Sequence, residues 1–300
     1  MADQRAAVVV FNPAAGRRGA HEALRAVTTR LDGKIAAVLE TSLADGFDLR
    51  MRDAIRDVVA TGERPALIAV GGDGTLSIAL NALSDPSAVT LAVVPVGSGN
   101  DFATALGIAS IDAAIDAIDR GASRPVDFGT VNGRRFANCV GIGLDAEVGA
   151  LSARMRGRGF PPGPSYYSAA LAGLFMVKPV GIVVRVGDRT IRRDDGVMVT
   201  IGNGPEYGGG FKGAPGASLD DGLLDLNLFS DVQGFFRRLS LMQRIRAGSH
   251  VGQPNVDSSR AASLEIDLER KVAMHVDGEL TTVEHASIAV VPRGMRVIAP

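Results

Sequence analysis

The chain has 300 residues, of which 46% are hydrophobic and 22% are charged, and its formal net charge is −1. This length and composition suffice to bury the cores of two modest domains, which excludes disorder as the main state. A near-neutral charge balance gives no reason to expect nucleic acid as a partner. The single cysteine, Cys139, excludes an intrachain disulfide and a thiolate metal cluster, and it fits a reducing cytoplasm.

The first 125 residues alternate short apolar runs with stretches of helical periodicity. This alternation predicts an α/β domain over residues 1–125 with a doubly wound parallel sheet. Residues 121–125 are expected to be a linker to the next domain. The predicted strands are residues 6–11, 35–39, 66–70 and 91–96, and the predicted helices are residues 19–31, 48–60, 75–83 and 111–119.

A glycine turn follows the third predicted strand, where Gly71, Gly72 and Gly74 surround Asp73 and a helix is expected from Thr75. Backbone N–H groups and the positive end of a helix dipole would meet at this turn, an arrangement that favours a phosphate. Glycines let a bulky anion approach the backbone, and the carboxylate could bind Mg²⁺ or accept a proton. The alternative is an ordinary turn between strand and helix, which three glycines in four positions disfavour.

A second glycine-containing loop, Gly97-Ser98-Gly99-Asn100-Asp101, follows the fourth predicted strand. Ligands of doubly wound sheets gather outside the carboxyl ends of the strands, so this loop and the Asp73 turn are expected to face one crevice. A simpler role for Ser98 is to cap the following helix.

From residue 126 the pattern changes to short valine-rich or alternating runs separated by turn residues. Such runs predict a β-rich, sandwich-like or barrel-like domain over residues 126–294. The predicted strands are residues 126–131, 135–143, 180–186, 197–203, 223–229, 262–268, 271–276 and 286–291.

Two stretches of this second half contain arginines and aromatic residues but no acidic residue, and they centre on residues 154–178 and 235–246. Mixed basic and apolar residues at helical spacing suit the interface of an anionic membrane. Either stretch alone is better explained as a helix packed on the sheet, whereas their joint occurrence favours a membrane-facing patch. The apolar run 169–177 is too short to span a bilayer, so peripheral contact is expected.

The segment Gly71-Gly72-Asp73-Gly74-Thr75 resembles the signature shared by diacylglycerol kinases, sphingosine and ceramide kinases, bacterial lipid kinases and NAD kinases. The resemblance implies a nucleotide domain like those of NAD kinase and phosphofructokinase, a β-rich second domain, ATP bound between them, and a final strand, 295–300, that returns to the first domain. Asn12-Pro13-Ala14-Ala15-Gly16 and Gly97-Ser98-Gly99-Asn100-Asp101 resemble two further loop motifs of the lipid kinases, and Thr41 stands where the family commonly places an ATP-contacting threonine. Together these resemblances imply ATP contacts by Asn12, Thr41, Gly71, Gly72, Asp73, Gly74, Thr75, Ser98, Asn100 and Asp101.

The segment from Tyr207 to Leu226 resembles a lipid kinase pattern, a YGGG loop followed by P-x-A-x-x-x-D-G-x-L-D, that separates these enzymes from NAD kinases. In bacterial members Mg²⁺ is held at this place by one carboxylate and two backbone carbonyls. The resemblance therefore implies Asp221 as the carboxylate ligand, with the carbonyls of Ser218 and Leu223. Hard oxygen ligands of this kind suit Mg²⁺.

The segment Val276-Asp277-Gly278-Glu279 is most simply a hairpin turn. It also resembles a V-D-G-E segment of the family, in which the residue matching Glu279 is the proton acceptor and Asp277 lies beside it. In eukaryotic relatives the aspartate of the glycine turn, here Asp73, often has the base role. The choice among the three carboxylates stays open.

These features predict an ATP- and Mg²⁺-dependent lipid kinase that phosphorylates a diacylglycerol-like alcohol at the inner, cytoplasmic face of a membrane. A soluble NAD kinase is one alternative, because the leucine at position 76, directly after the glycine turn, resembles the sequence of NAD kinases at this point. A non-catalytic nucleotide or lipid sensor is the other. The oligomeric state is left open, with a dimer as one option.

Overall fold

The structure is a computed structural model that describes residues 6–15, 18–41, 46–97, 99–176 and 178–300, without the side chains at positions 18, 162 and 163. The chain forms two compact units. Unit 1 comprises Met1–Asp127 with Arg293–Pro300, and unit 2 comprises Phe128–Pro292.

Unit 1 is an α/β domain built on parallel strands in the order β2–β1–β3–β4, with the end of the last strand of the chain beside β4. Every residue of β1 and β3 is buried, as expected for inner strands of a parallel sheet with both faces covered. The elements are β1 (Ala7–Phe11), α1 (Arg18–Arg30), β2 (Ile35–Glu40), α2 (Phe47–Ala60), β3 (Ala66–Gly71), α3 (Asp73–Ala82), a 3₁₀ turn (Pro86–Ala88), β4 (Thr90–Pro95), α4 (Asp101–Ala105) and α5 (Ile111–Arg120).

Two elements of this half differ from the sequence prediction. Helix α3 begins at Asp73 rather than Thr75, because Gly72 is extended and its carbonyl already accepts the N–H groups of Thr75 and Leu76. The expected linker at 121–125 is wrong, since strand β5 (Ser123–Val131) begins within it.

Unit 2 is an antiparallel β domain with three helices between its strands in the described part of the chain. Its long strands β9 and β12 each pair with β8 at one end and with β7 at the other, so the sheet folds over a shared core. The elements after β5 are β6 (Arg134–Phe136), β7 (Cys139–Gly143), α6 (Leu144–Gly157), α7 (Pro162–Gly173), β8 (Val180–Val186), β9 (Arg189–Gly202), β10 (Leu224–Ser230), α8 (Phe235–Ala247), β11 (Val256–Ala261), β12 (Ser263–Val276) and β13 (Glu279–Ile298).

The core of unit 2 consists of the inward-facing aliphatic and aromatic residues of these strands, such as Phe136, Ile182 and Ile201. The predicted runs 262–268 and 271–276 are one strand, β12, whose pairing with β13 is irregular between Asp267 and Val272. Likewise, the predicted run 286–291 and the final run are both parts of β13.

The helices α6, α7 and α8 occupy most of the two stretches that lack acidic residues. No helix in the described ranges has both the length and the apolar character needed to cross a bilayer.

Candidate active site

The glycine turn of unit 1 lies against the loop that follows β4. A Cβ atom placed on Gly97 would be 2.6 Å from the Cα atom of Gly72, and one placed on Gly72 would be 3.0 Å from Cα of Gly97. The two backbones are therefore in contact, and only glycine fits at both positions. Because Gly71 pairs with Pro95 in parallel register, both loops leave the carboxyl edge of the sheet at the same level.

Asp73 joins these two loops through its carboxylate. Oδ2 accepts the N–H of Asp101 at 3.1 Å, and Oδ1 accepts the N–H of Phe102 at 3.1 Å. These are the first N–H groups of α4, which have no partner within the helix itself. Asp73 thus holds the start of α4 against the glycine turn, and each oxygen retains lone-pair capacity for a further donor or a metal ion.

Three buried oxygens in this region have no hydrogen-bond partner within the described part of the chain: Oγ1 of Thr41, Oγ1 of Thr75 and Oδ1 of Asn100. Thr75 is only 1% exposed. Asn100 has a left-handed backbone with φ of 58°, and its Nδ2 donates to the Gly97 carbonyl at 2.8 Å. Buried hydroxyl and amide oxygens are normally paired, so these atoms mark a place where a polar ligand would bind.

Asn12 and Thr41 follow the neighbouring strands β1 and β2, whose last residues, Phe11 and Glu40, are paired in the sheet. The Asn12 side chain accepts the N–H of Ala14 at 2.9 Å, which orders the turn after β1. The N–H of Thr41 donates to the Phe11 carbonyl at 2.8 Å. Both residues therefore lie at the same sheet edge as the glycine turn. The predicted contact Ser98 lies outside the described residues.

In unit 2, Asp277 is part of the turn between β12 and β13 and has a left-handed backbone with φ of 47°. Its carboxylate accepts three backbone N–H groups, from Ala137 at 2.7 Å, Asn138 at 3.0 Å and Cys139 at 2.9 Å. Asp277 is 7% exposed and fixes the hairpin to the segment that leads into β7.

Glu279 is the more accessible carboxylate of the same hairpin. It pairs with Val276 across the turn and forms an ion pair with Arg134, and both charged side chains are 39% exposed. The structure therefore brings Asp277 and Glu279 together, with one buried and the other reachable from solvent.

The segment predicted to bind Mg²⁺ contains a small network of charged groups. Asp221 accepts the N–H of Leu223 at 3.0 Å and forms an ion pair with Arg260, which also binds Asp225 at 3.0 Å. Ser218 donates its hydroxyl to Asp220 at 2.8 Å. Burial raises the pKa of Asp225, and the guanidinium of Arg260 partly offsets this effect.

The donor types at Asp221, Ser218 and Leu223 fit Mg²⁺, since they are one carboxylate and two carbonyls. The Asp221 side chain is 29% exposed, so a hydrated ion can reach it. No cluster of three or more His, Cys, Asp or Glu residues suited to a metal ion occurs among the residues that the structure describes. An ion held here would therefore depend on backbone oxygens.

A buried polar cluster of unit 2 was not predicted from the sequence. Oδ2 of Asp145 lies 2.8 Å from Nε2 of His275, and its Oδ1 accepts the hydroxyl of Tyr166 at 2.8 Å. Burial lowers the pKa of His275, but the charge of Asp145 and the hydrogen bond to it outweigh burial, so the net shift is upward. A side chain at Gly141 would collide with both Asp145 and His275, so glycine is needed beside the pair.

Solved structures define the class of fold. The crystal structure of a diacylglycerol kinase from Bacillus anthracis str. Sterne is similar, with a TM-score of 0.70, 21% identity, and coverage of 100% of this chain and 98% of that chain. The crystal structure of an NAD kinase from Archaeoglobus fulgidus in complex with ATP has a TM-score of 0.51 and 12% identity over 97% of this chain and 93% of that one. The fold is therefore that of diacylglycerol kinases and NAD kinases, as predicted.

Sequence comparison gives the family. Residues 6–131 match the diacylglycerol kinase catalytic domain, and residues 138–299 match the YegS C-terminal NAD kinase beta sandwich-like domain. A diacylglycerol kinase of Mycobacterium tuberculosis (strain CDC 1551 / Oshkosh) is 30% identical over 96% of this chain and 93% of its own length. A diacylglycerol kinase of Bacillus subtilis (strain 168) is 28% identical over 97% of this chain and 95% of its own length. The chain belongs to the diacylglycerol kinase and YegS-like lipid kinase family, which confirms the predicted resemblance.

Proposed function

We propose that this protein is an ATP- and Mg²⁺-dependent kinase that phosphorylates the hydroxyl of a diacylglycerol-like lipid. The observation that carries the proposal is the pair of glycine loops of unit 1 in backbone contact, with unpartnered buried oxygens beside them. Family membership and relatives named diacylglycerol kinase support the same activity.

In this proposal the phosphates of ATP bind the N–H groups of the turn 71–75 and the positive end of α3. The hydroxyl of Thr75 donates to a phosphate oxygen, which would give its buried Oγ1 a partner. Asn12, Thr41 and Asn100 contact the nucleotide from the neighbouring strand ends. Ser98 and Asp101, the first residue of α4, complete the proposed set of ATP contacts.

Glu279 is the proposed proton acceptor for the lipid hydroxyl. A general base must reach the proton that it removes, and Glu279 is the carboxylate of its hairpin that solvent reaches. Asp277 already accepts three N–H groups and is buried, which suits a positioning role. Asp73 accepts two N–H groups and likewise acts by holding the glycine loops together.

Mg²⁺ supplies, when bound, positive charge that neutralises the phosphoryl oxygens during transfer. The side chain of Asp221 and the carbonyls of Ser218 and Leu223 would hold it, and remaining lone pairs of Asp73 could bind a second ion through water.

Peripheral contact with an anionic membrane through residues 154–178 and 235–246 is part of the same proposal, at the inner face of the membrane. Arginines accompany the exposed rings of Phe160, Phe175 and Phe236 in these segments. Basic and aromatic residues of this kind bind the headgroup region of anionic bilayers.

The test is transfer of labelled phosphate from ATP, with Mg²⁺, to a micellar panel of diacylglycerol, monoacylglycerol, ceramide, sphingosine and phosphatidylglycerol, with lipid-free NAD as a separate acceptor. The proposal predicts labelled diacylglycerol and no labelled NADP. Labelling of NAD alone would favour the soluble NAD kinase, and ATP binding without transfer to any acceptor would favour the sensor.

A further inference from the structure

The imidazole ring of His275 makes two polar contacts, one through each ring nitrogen. Nε2 lies 2.8 Å from Oδ2 of Asp145, and Nδ1 accepts the backbone N–H of Gly278 at 3.4 Å. A ring nitrogen can accept an N–H only when it carries no proton, so Nδ1 is unprotonated in this arrangement. The proton of the neutral ring is then on Nε2, which donates it to the carboxylate of Asp145.

Gly278 belongs to the turn that carries Glu279, the proposed proton acceptor. Asp277 and Gly278 have φ of 47° and 84°, the left-handed backbone that a two-residue hairpin turn requires. The pairing of β12 with β13 closes at Val276 and Glu279, so the N–H of Gly278 lies outside the strand ladder. The ring of His275 gives this N–H its partner.

The residues on either side of Gly278 are held by other contacts. Asp277 is fixed by the three backbone N–H groups that its carboxylate accepts. Glu279 meets Arg134 in an ion pair whose two side chains are each 39% exposed, and an ion pair this exposed restrains a side chain only weakly. The contact between His275 and Gly278 therefore helps to set the direction in which the chain enters Glu279.

We propose that His275 is a positioning residue for phosphoryl transfer, whose neutral ring holds Gly278 so that Glu279 is aligned to remove the proton, and whose protonation releases Gly278. The inference rests on the proposed function and adds a control of the base by pH. A proton added at Nδ1 makes that atom a donor, which then faces the N–H donor of Gly278. The turn loses this bond, and the alignment of Glu279 is lost with it.

Titratable groups face or adjoin the ring from the elements packed around it. They are Asp145 on α6, Tyr166 on α7, Tyr207 in the loop after β9, Cys139 on β7 and Asp277 in the hairpin itself. Burial lowers the pKa of His275, but Asp145 and Asp277 raise it by more. Burial and Asp145 raise the pKa of Tyr166 well above its usual range, so Tyr166 stays a neutral donor. The ring therefore titrates above the ordinary histidine value of about 6.5.

Two amide side chains separate the two contacts of the ring. The nitrogen of glutamine lies near the position of Nε2 and keeps a donor for Asp145, whereas the oxygen of asparagine lies near the position of Nδ1 and keeps an acceptor for Gly278. Neither amide titrates near neutral pH. His275→Gln therefore keeps the buried pair and loses the turn contact, and His275→Asn does the reverse.

The assay is the pH dependence of phosphate transfer from labelled ATP to diacylglycerol micelles. Wild-type kcat is expected to fall on the acid side of a midpoint that lies above about pH 6.5. His275→Asn should keep kcat within about threefold of the wild-type maximum and lose this midpoint. His275→Gln should lose about tenfold in kcat throughout the pH range, with the KM for ATP within about twofold of the wild type. Melting temperatures should follow the opposite order, because only His275→Asn removes a donor from the buried carboxylate of Asp145.

His285→Gln is the matched control, since His285 also contacts a carboxylate, that of Asp267 at 2.7 Å, but is exposed on β13. It should change neither kcat nor its midpoint. NMR of the ring nitrogens in the wild type is a second measurement that does not depend on the folding of a variant, and the chain has only four histidines to assign. The neutral ring of His275 should carry its proton on Nε2, and its titration should coincide with the midpoint in kcat.

Activity that follows stability, with His275→Gln more active than His275→Asn, would overturn the inference and leave the proposed function standing. A neutral ring protonated on Nδ1, or a titration of His275 that does not coincide with the midpoint in kcat, would overturn it as well. If the wild type transfers phosphate to no lipid at any pH, the proposed function is refuted and the positioning role falls with it.

Discussion

Replacing Asp73 by asparagine tests whether this carboxylate holds the two glycine loops together. The carboxylate accepts two N–H groups at 3.1 Å, and the amide of asparagine offers one acceptor and turns a donor toward the other N–H. Losing one hydrogen bond to a charged group costs about 1.5–3 kcal/mol. For a chain of 300 residues that unfolds cooperatively, the melting temperature should fall by roughly 2–5 °C.

The assay is thermal unfolding of the nucleotide-free protein, followed by titration with ATP. A matched control is Asp112→Asn, which makes the same chemical change in the first turn of α5, where the N-cap is Ser110. The control should stay within about 0.5 kcal/mol of the wild type because Asp112 is exposed. If Asp73→Asn unfolds at the wild-type temperature, the carboxylate does not hold α4 in place and this reasoning is refuted.

Three further changes follow from the same contacts. Gly97→Ala should force the glycine loops apart and raise the KM for ATP about 10- to 100-fold. The control Gly149→Ala should leave the KM for ATP unchanged because a Cβ atom at Gly149 meets open space. Equal changes in KM for the two variants would contradict a role for the contact between the loops. Asp277→Asn should lower the free energy of unfolding by about 1–3 kcal/mol in urea, and an unchanged midpoint would remove its structural role. Folding raises the pKa of His275, which pairs with Asp145. The stabilisation from this pair is therefore fully present below the pKa that His275 has in the unfolded chain, and it is lost as the pH rises through the pKa of His275 in the folded protein. His275→Gln should therefore flatten the decline in urea stability above about pH 6.5, and an unaltered pH profile would refute the pairing.

The α/β half is largely predictable from its sequence because each strand is a continuous apolar run and helices α1, α2 and α5 are amphipathic. Helix α3 is buried over most of its surface, and the glycine turn before it is the signal that predicts it. Helix α4 is only five residues long, too short to show periodicity, so the capping role of Asp73 could not be foreseen. In strand β12, the charged residues 269–271 coincide with the irregular pairing to β13. They interrupt the apolar pattern, so the sequence predicts two strands where the structure has one.

Long-range pairs explain what else the sequence did not reveal. Asp145 and His275 are 130 positions apart, and only the antiparallel pairing of β12 with β7 brings them together. Gly141 was a local signal, since a glycine inside a strand marks a close approach by a neighbour, here Asp145 and His275. Asp277 and Glu279 are near neighbours in sequence, but their environments differ. Asp277 accepts three backbone N–H groups, whereas Glu279 forms an ion pair with Arg134.

The most direct test of the account is phosphate transfer from labelled ATP to diacylglycerol micelles by Glu279→Gln and by Glu284→Gln, an exposed control on the same strand. We expect wild type and Glu284→Gln to label the lipid equally and Glu279→Gln to lose about 100-fold or more in kcat with unchanged thermal stability. Equal labelling by both variants, or none by the wild type, would contradict the account.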